Sequence, residues 1–497
     1  MSESVLRVEG IKKSFGGVQA LKGVDLDIRG GEIHCLAGEN GSGKSTLIKV
    51  ISGVHEPDSG SIEIGGRRRE RLSPREAIEA GVQVIYQDFS VFPNLSVMEN
   101  LALNMELMDG RKLVNYRRAR ATASRAVSLI GFDVDLDERV ENLTVADRQL
   151  IAICRALLQD SKLLIMDEPT SALTKKEVKS LFSVIKSLQG RGMSILFVSH
   201  KLDEVFEISE RYTILRNGEN VASGSTGDLD SKTFAYYMTG REFADESYRP
   251  GPIAAPPVLS VKDLCLEGCY EGVSFDLAPG EILGITGLLG SGRTELVETI
   301  FGISRPDSGS VAVRGREVKI RSVKAAIRRG IGYVPSDRLT EGLFQTQTIE
   351  RNIVVAVLEK LSGRLGILRR KLVADTTARW IAELSIATED PSLPVRVLSG
   401  GNQQKVVLAR WLANDLAVLI LNGPTVGVDI GAKYDIHGLI RALAARGLAV
   451  IIVSDDLPEV LSCASRIIVM RGGAFIEELD PAETTEAKLG ELSTGVA

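Results

Sequence analysis

Gly38-Glu39-Asn40-Gly41-Ser42-Gly43-Lys44-Ser45 follows the apolar run Ile33-His34-Cys35-Leu36-Ala37 and precedes residues 45–52, where Leu47, Ile48 and Ile51 recur at helical spacing. Strand, glycine-rich turn and helix in that order form a cradle for phosphate. The glycines let successive backbone N–H groups converge on phosphate oxygens without side chains in the way. The helix aims its positive end at the same point. Lys44 supplies a cation for the β- and γ-phosphates, and the Ser45 hydroxyl, followed by Thr46, supplies a ligand for Mg2+.

Outward from this loop, the chain proves to be written twice. Pro57-Asp58-Ser59-Gly60-Ser61 recurs letter for letter as Pro306-Asp307-Ser308-Gly309-Ser310, an offset of 249 residues. At the same offset Gly30-Gly31-Glu32-Ile33 meets Pro279-Gly280-Glu281-Ile282, and the loop at 38–46 meets 287–295 with its glycines in register. Leu143-Thr144 meets Leu398-Ser399 at an offset of 255. A register kept this far is duplication. Between the copies, residues 247–257 read S-Y-R-P-G-P-I-A-A-P-P, with four prolines that remove backbone donors and favour extended chain. The expected organisation is a first domain at 1–242, a proline-rich linker at 243–256 and a second domain at 257–497. Within each copy, buried apolar runs (162–166 and 194–198 in the first) alternate with helical patterns (119–130, 149–158). The fold class is α/β, two tandem domains, each with a mostly parallel core sheet.

A phosphate site needs an acidic group at the end of a buried strand, and Leu163-Leu164-Ile165-Met166-Asp167-Glu168 provides one. Asp167 is placed to hold Mg2+ and Glu168 to polarise the attacking water. Pro169-Thr170-Ser171 follows, so a bare helix cap is the competing reading.

Together these parts resemble the ATP-binding subunits of ABC transporters. The markers of the first half are Phe15 in Lys13-Ser14-Phe15-Gly16-Gly17, the loop 38–46, Gln87 in Tyr86-Gln87-Asp88, the signature segment 143–149, Asp167-Glu168, Ser171-Ala172-Leu173-Thr174, and His200 in Val198-Ser199-His200. The second half adds Leu398-Ser399-Gly400-Gly401-Asn402-Gln403-Gln404. The resemblance covers nearly the whole chain. It implies P-loop NTPase domains with an added helical subdomain and ATP and Mg2+ as ligands. It further implies that Phe15 stacks on adenine, that Gln87 senses Mg2+ and the transport partner, and that His200 contacts the γ-phosphate. Lys44, Gln87, Glu168 and His200 would be catalytic, and Ser45, Gln87 and Asp167 would hold the metal.

The halves carry unequal chemistry. In the second, Arg293 replaces the loop lysine, Glu295 replaces Thr46, Ser336 stands for Gln87, Asn422-Gly423 for Asp167-Glu168, Asp455 for His200 and Leu264 for Phe15. An Asn lacks the charge of a metal-organising carboxylate, and a Gly cannot act as base. The signature segments are unequal in the opposite sense: Ser399-Gly400-Gly401 allows close backbone approach, while Thr144-Val145-Ala146-Asp147 is bulkier and acidic. In the family, two such halves meet head to tail. The resemblance therefore implies one active site, Lys44, Gln87, Asp167, Glu168 and His200 facing Ser399, Gly400, Gly401 and Asn402, and one degenerate site.

Gly287-Leu288-Leu289-Gly290-Ser291-Gly292-Arg293-Thr294-Glu295-Leu296, Met238-Thr239-Gly240-Arg241-Glu242 and Pro335-Ser336-Asp337-Arg338 through Gly342-Leu343 resemble the ATPases of bacterial monosaccharide importers of the ribose, galactose, xylose and arabinose type. Asn422-Gly423 and Ser336 depart from that pattern, which keeps acids there. The resemblance implies two membrane permease subunits and an extracytoplasmic sugar-binding protein as partners. It implies no contact of this chain with the sugar, and a peripheral place on the cytoplasmic face of the inner membrane. A soluble double ATPase acting on ribosomes or DNA is the alternative. Such proteins usually carry two consensus sites with a long charged linker, or zinc-binding cysteine clusters.

The 497 residues are 44% hydrophobic, 25% charged and 5% aromatic, which excludes disorder, collagen and disulfide scaffolds. No apolar run approaches membrane-spanning length, and the start lacks a secretory pattern. Five cysteines are too few for a framework, and Cys265 and Cys269 have no nearby His or Cys partners. A net charge of −5 gives no general affinity for nucleic acid. Arg67-Arg68-Arg69, after Gly65-Gly66, is expected at a solvated hairpin tip, and His34, His55 and His437 are expected to be structural.

Overall fold

The computed structural model describes residues 4–86, 91–108, 115–158, 161–171, 173, 175–242, 248, 255–319, 321–363 and 366–495. The chain divides into two compact units, Met1–Phe243 and Ala244–Ala497. Of the expected linker 243–256, only Tyr248, Ala255 and Pro256 are among the described residues.

In the first unit a six-stranded sheet runs in the order Glu219–Ser225, Arg211–Arg216, Ile33–Ala37, Ser194–Val198, Leu163–Asp167, Val82–Ile85. All neighbours are parallel except the first pair. The central strands are apolar throughout because both faces are covered. Leu36, Leu196 and Val198 pack on Leu47 and Ile48 of the helix Lys44–Ile51, while Ile33, Ile195 and Phe197 pack on Phe182 and Ile185 of the helix Lys175–Gln189. A four-stranded antiparallel sheet, Val18–Arg29, Ser4–Phe15, Ser59–Ile64, Arg67–Arg69, flanks this core. The helices Val97–Met108, Tyr116–Ile130 and Val145–Leu157 form a third layer, where Ala119, Ala123 and Ala126 let the backbones approach. The second unit repeats the plan: Ile331–Val334, Val418–Asn422, Ala449–Val453, Ile282–Thr286, Arg466–Arg471 and Ala474–Leu479 in one sheet, again with one antiparallel edge pair. Its helical layer contains Ile349–Val354, Arg370–Glu383 and Gly400–Leu412.

Local boundaries shift from expectation for identifiable reasons. The loop helix starts at Lys44 because Gly43, at φ 107°, closes the preceding turn. The acidic strand extends through Asp167. The helix expected at 149–158 begins at Val145, because the Thr144 side chain caps it. Arg67–Arg69 is not the hairpin tip. Gly65 and Gly66 make the turn, and the arginines form the returning strand, with Arg68 on Glu9 at 2.9 Å and Arg69 on Glu76 at 2.5 Å.

The register also corrects one correspondence between the halves. Ile11 lies opposite Val24 and Leu264 opposite Val273, both buried in equivalent hairpins. Leu264 is thus the counterpart of core Ile11, and the position of Phe15 falls in the turn at Gly268. The second hairpin is shorter, and the conclusion that it lacks the aromatic stands on Gly268. Among the described residues no helix is long and apolar enough to cross a membrane.

Candidate functional site

The loop 38–46 is packed so closely that two of its glycines have no room for a side chain. A Cβ on Gly38 would lie 2.4 Å from Ser42 Oγ and 2.5 Å from the Leu215 carbonyl, and one on Gly43 would lie 2.8 Å from the Ala20 carbonyl. Gly41 faces open space at φ +82°. Lys44 is buried, its Nζ donating to the carbonyls of Gly38 at 2.6 Å and Glu39 at 3.0 Å. Burial pulls the Lys44 ammonium below its usual pKa, while Glu168 and Asp167 hold it up. The Ser42 hydroxyl is buried with no hydrogen-bond partner among the described residues. The helix carries no acid in its first turn and no side-chain cap, so its positive end faces the cradle.

Asp167 ends the strand two places from Ile165 in the core, and Glu168 turns out of it with φ 48°. That left-handed conformation costs a glutamate about 1 kcal/mol or more. Glu168 Oε1 lies 3.0 Å from His200 Nδ1, which the neighbouring strand Ser194–Val198 delivers. The His200 bond holds Glu168 below the usual carboxylate pKa against the effect of burial. Asp167 is pushed up by burial and by Glu168, against Lys44 and the Ser45 hydroxyl to which it is hydrogen-bonded. Two adjacent carboxylates are thus driven apart, with Glu168 kept ionised beside a histidine. The Asp167–Ser45 pair is a carboxylate and a hydroxyl meeting at the cradle, a donor set that suits a hard divalent cation.

Lys44, Ser45, Asp167, Glu168 and His200 are therefore gathered in one place in the first unit. Phe15 ends its strand at the hairpin tip, 42% exposed, with its ring edge against His55 and the Lys13 ammonium 5.4 Å from its centre. Glu39, Asn40 and Thr46 lie in and just beyond the loop. Gln87, Ala172 and Thr174 lie outside the described residues.

Residues 21–171 and 270–426 match the family model described as ABC transporter. The chain belongs to the ABC transporter family. It is 41% identical over 494 residues to a ribose import ATP-binding protein of Streptomyces avermitilis, covering 99% of this chain and 97% of that one. Ribose import ATP-binding proteins of Rubrobacter xylanophilus (42% over 494 residues) and Bacillus licheniformis (38% over 490) are covered over 99% of each chain. The chain is an ABC ATPase with two tandem ABC domains.

At the corresponding positions of the second ABC domain the side chains make different contacts. Arg293 Nη2 lies 3.9 Å from Asp455 Oδ1, so the cation that replaces Lys44 faces the acid that replaces His200. Asn422 donates to the Tyr333 hydroxyl at 3.3 Å. Gly423 keeps the left-handed turn of Glu168, at φ 59°, but a Cβ there would lie 2.8 Å from Val426.

The two signature helices of the ABC domains differ at their positive ends. Thr144 caps its helix: its hydroxyl accepts from the Asp147 amide at 3.2 Å and donates to the Asp147 carboxylate at 2.7 Å, so that end is closed by a cap and an acid. Ser399 makes no side-chain cap, and no acid lies in the first turn of Gly400–Leu412. Asn402 donates to Ser399 Oγ at 3.0 Å and accepts from the Ala387 amide, which holds it beside the helix start. Gly401 is a packing position: a Cβ there would lie 2.4 Å from Ala432.

Several residues of this ABC ATPase escaped sequence reading. Arg338 donates to the carbonyls of Val426 and Gly427 and lies against Gly400, tying three loops of the second domain together. Its only signal was its place in the Ser336-Asp337-Arg338 run. His437 is structural as expected, but charged: its Nε2 is 3.1 Å from buried Glu459. Burial pulls its pKa down, but Cys463 and Glu459 outweigh that and raise it to about 9. A raised pKa gives stability that is full below the unfolded value near 6.5 and is lost as pH rises through about 9. Chemical denaturation should therefore show the second domain weakening by on the order of 2 kcal/mol between pH 6.5 and 9.5. A His437→Gln variant should be less stable and flatter with pH. An equally steep decline in that variant would remove His437 as its source.

Proposed function

We propose that this ABC ATPase is the energising subunit of an importer for a monosaccharide or related sugar. It would bind ATP, close its domains, drive two membrane permease subunits and reopen on hydrolysis. Its place would be peripheral, on the cytoplasmic face of the membrane, with an extracytoplasmic sugar-binding protein as the further partner and no contact with the sugar itself. The naming of its relatives as ribose import ATP-binding proteins supports the substrate class. In one working site, Lys44 neutralises phosphate charge, Glu168 takes the proton of the attacking water, His200 orients Glu168 and meets the γ-phosphate, and Phe15 carries the adenine. Ser45, Asp167 and Gln87 would hold Mg2+, which supplies charge neutralisation of the phosphate oxygens.

The observation that carries the reading is the opposite sorting of the two domains' defects. The first has the hydrolytic side chains and a signature helix closed by Asp147; the second has lost those side chains and keeps an open signature helix at Ser399. Sorting of this kind is what a composite site demands, with the first domain's loop served by Ser399, Gly400, Gly401 and Asn402 of the second.

Ser399→Arg tests it, since Ser399 is exposed and tolerates bulk, whereas any side chain at Gly401 also strikes Ala432. Steady-state ATP hydrolysis with the membrane partners present should fall at least tenfold, equivalent to about 1.4 kcal/mol in the barrier. Ala146→Asp should leave it within about threefold, under ~0.7 kcal/mol. The reverse result would mean that each loop uses its own domain's signature.

A further inference from the structure

We propose that Glu204 is a positioning residue for hydrolysis: a buried carboxylate that ties the loop after Glu168 to the loop before His200 and so sets the contact between them. The inference rests on the first-domain site proposed above. Glu204 is 6% exposed and sits in the first turn of the helix Leu202–Ile208. Thr170, two residues beyond Glu168, donates its hydroxyl to Glu204 Oε1 at 2.5 Å. Ser199, one residue before His200, donates its hydroxyl to Glu204 Oε2 at 2.6 Å. Each oxygen thus holds one of the two loops, and Thr170 and Ser199 are both 2% exposed. The Ser199 oxygen also accepts from the Lys201 amide, and Lys201 Nζ is 3.0 Å from Glu204 and 3.2 Å from the Thr170 carbonyl.

The geometry makes this more than packing. Glu168 and His200 follow the ends of two adjacent parallel strands, each in a loop beyond the reach of the strand ladder. Their 3.0 Å contact is the quantity that a hydrolytic pair must hold. A carboxyl group offers one oxygen to each hydroxyl, and burial in a dry site strengthens both bonds. No atom of the tie need touch the nucleotide.

The second domain supplies an internal comparison. Thr425 donates to Glu459 at 2.6 Å, Ser454 is hydrogen-bonded to the same carboxylate, and the Asp456 amide reaches Ser454 Oγ at 3.1 Å. The same Thr, Ser and Glu are present at the same places, yet the residues they would position are Gly423 and Asp455. The two ties differ in their cation. Lys201 comes from the loop and is partly exposed, whereas in the second domain buried His437 comes from the facing helix Ile430–Ala445. The tie therefore outlasts the chemistry as a device for loop geometry. Only in the first domain does that geometry serve hydrolysis.

Paired variants of the full chain, assayed with the membrane partners, test this. Thr170→Val removes the hydroxyl and keeps the shape; Thr170→Ser keeps the hydroxyl and loses a methyl; Thr425→Val makes the first change in the second domain. Thr170→Val should lower kcat about tenfold with ATP affinity, read by a fluorescent ATP analogue, within twofold. Thr170→Ser should restore kcat to within about twofold of the parent. Thr425→Val should lower the melting temperature by a similar amount to Thr170→Val with kcat unchanged. Glu204→Gln should behave as Thr170→Val or worse. Loss in Thr170→Ser as large as in Thr170→Val, or equal kcat losses from Thr170→Val and Thr425→Val, would reduce the tie to packing and overturn the proposal. A Lys44→Ala control separates the two readings. Full activity in it removes the first-domain site itself, whereas a dead control beside a normal Thr170→Val removes only the positioning role.

Discussion

Glu168→Gln is expected to bind ATP with near-parental affinity and to stop turning it over. The amide matches the carboxylate in size and accepts the His200 contact now made at 3.0 Å, so the loop keeps its shape. The strained φ of 48° is the same for both residues, so folding stability should change little. What disappears is a carboxylate held below its usual pKa by His200, the group proposed as the base for the attacking water. A loss of about 1,000-fold or more in kcat is expected, ~4 kcal/mol in the barrier. The measurement is single-turnover hydrolysis together with nucleotide retained after rapid gel filtration. Retained, unhydrolysed ATP supports the assignment; turnover within tenfold of the parent would take Glu168 out of its role.

Lys44→Ala should abolish hydrolysis through a different route, by loss of the phosphate's cation. The Lys44 ammonium is buried beside Asp167 and Glu168, and without it two carboxylates face the incoming phosphates with no compensating charge in the loop. The expected loss in kcat/KM is at least 100-fold, ~2.7 kcal/mol. ATP affinity should fall with it, which separates this variant from Glu168→Gln. Arg293→Ala removes the corresponding cation of the second domain, which already faces Asp455, and should change hydrolysis by less than about threefold. Equal losses in the two variants would contradict a single working site.

Much of this was legible in the chain itself. The loop 38–46, the Asp167-Glu168 strand end and the Ser399-Gly400-Gly401 segment are local patterns. Their chemistry depends on residues a few positions apart on one strand, turn and helix, and backbone geometry makes that spacing readable. The duplication was legible for the same reason, and with it the inequality of the halves. Limits of reading appeared where correspondence was carried by a fixed offset. Leu264 was matched to Phe15, and only the pairing of Ile11 with Val24 and Leu264 with Val273 showed that the second hairpin is shorter.

The sequence by itself determined two α/β domains and the family, and it is the basis for proposing the phosphate chemistry in the first, because each follows from short-range pattern. Only the tertiary structure decided that Glu168 sits in a left-handed turn and that Asp147 closes one signature helix while the other stays open. The bond from Thr170 through Glu204 to Ser199, the exclusion of any side chain at Gly401 and the charge on His437 were likewise invisible before folding. Thr170 and Glu204 are 34 positions apart, and His437 and Glu459 are 22. No periodicity links such pairs; Thr170 and Glu204 meet because adjacent parallel strands end at the same edge of the sheet, and His437 and Glu459 meet because the helices Ile430–Ala445 and Leu457–Cys463 pack together, where low dielectric strengthens the buried bond.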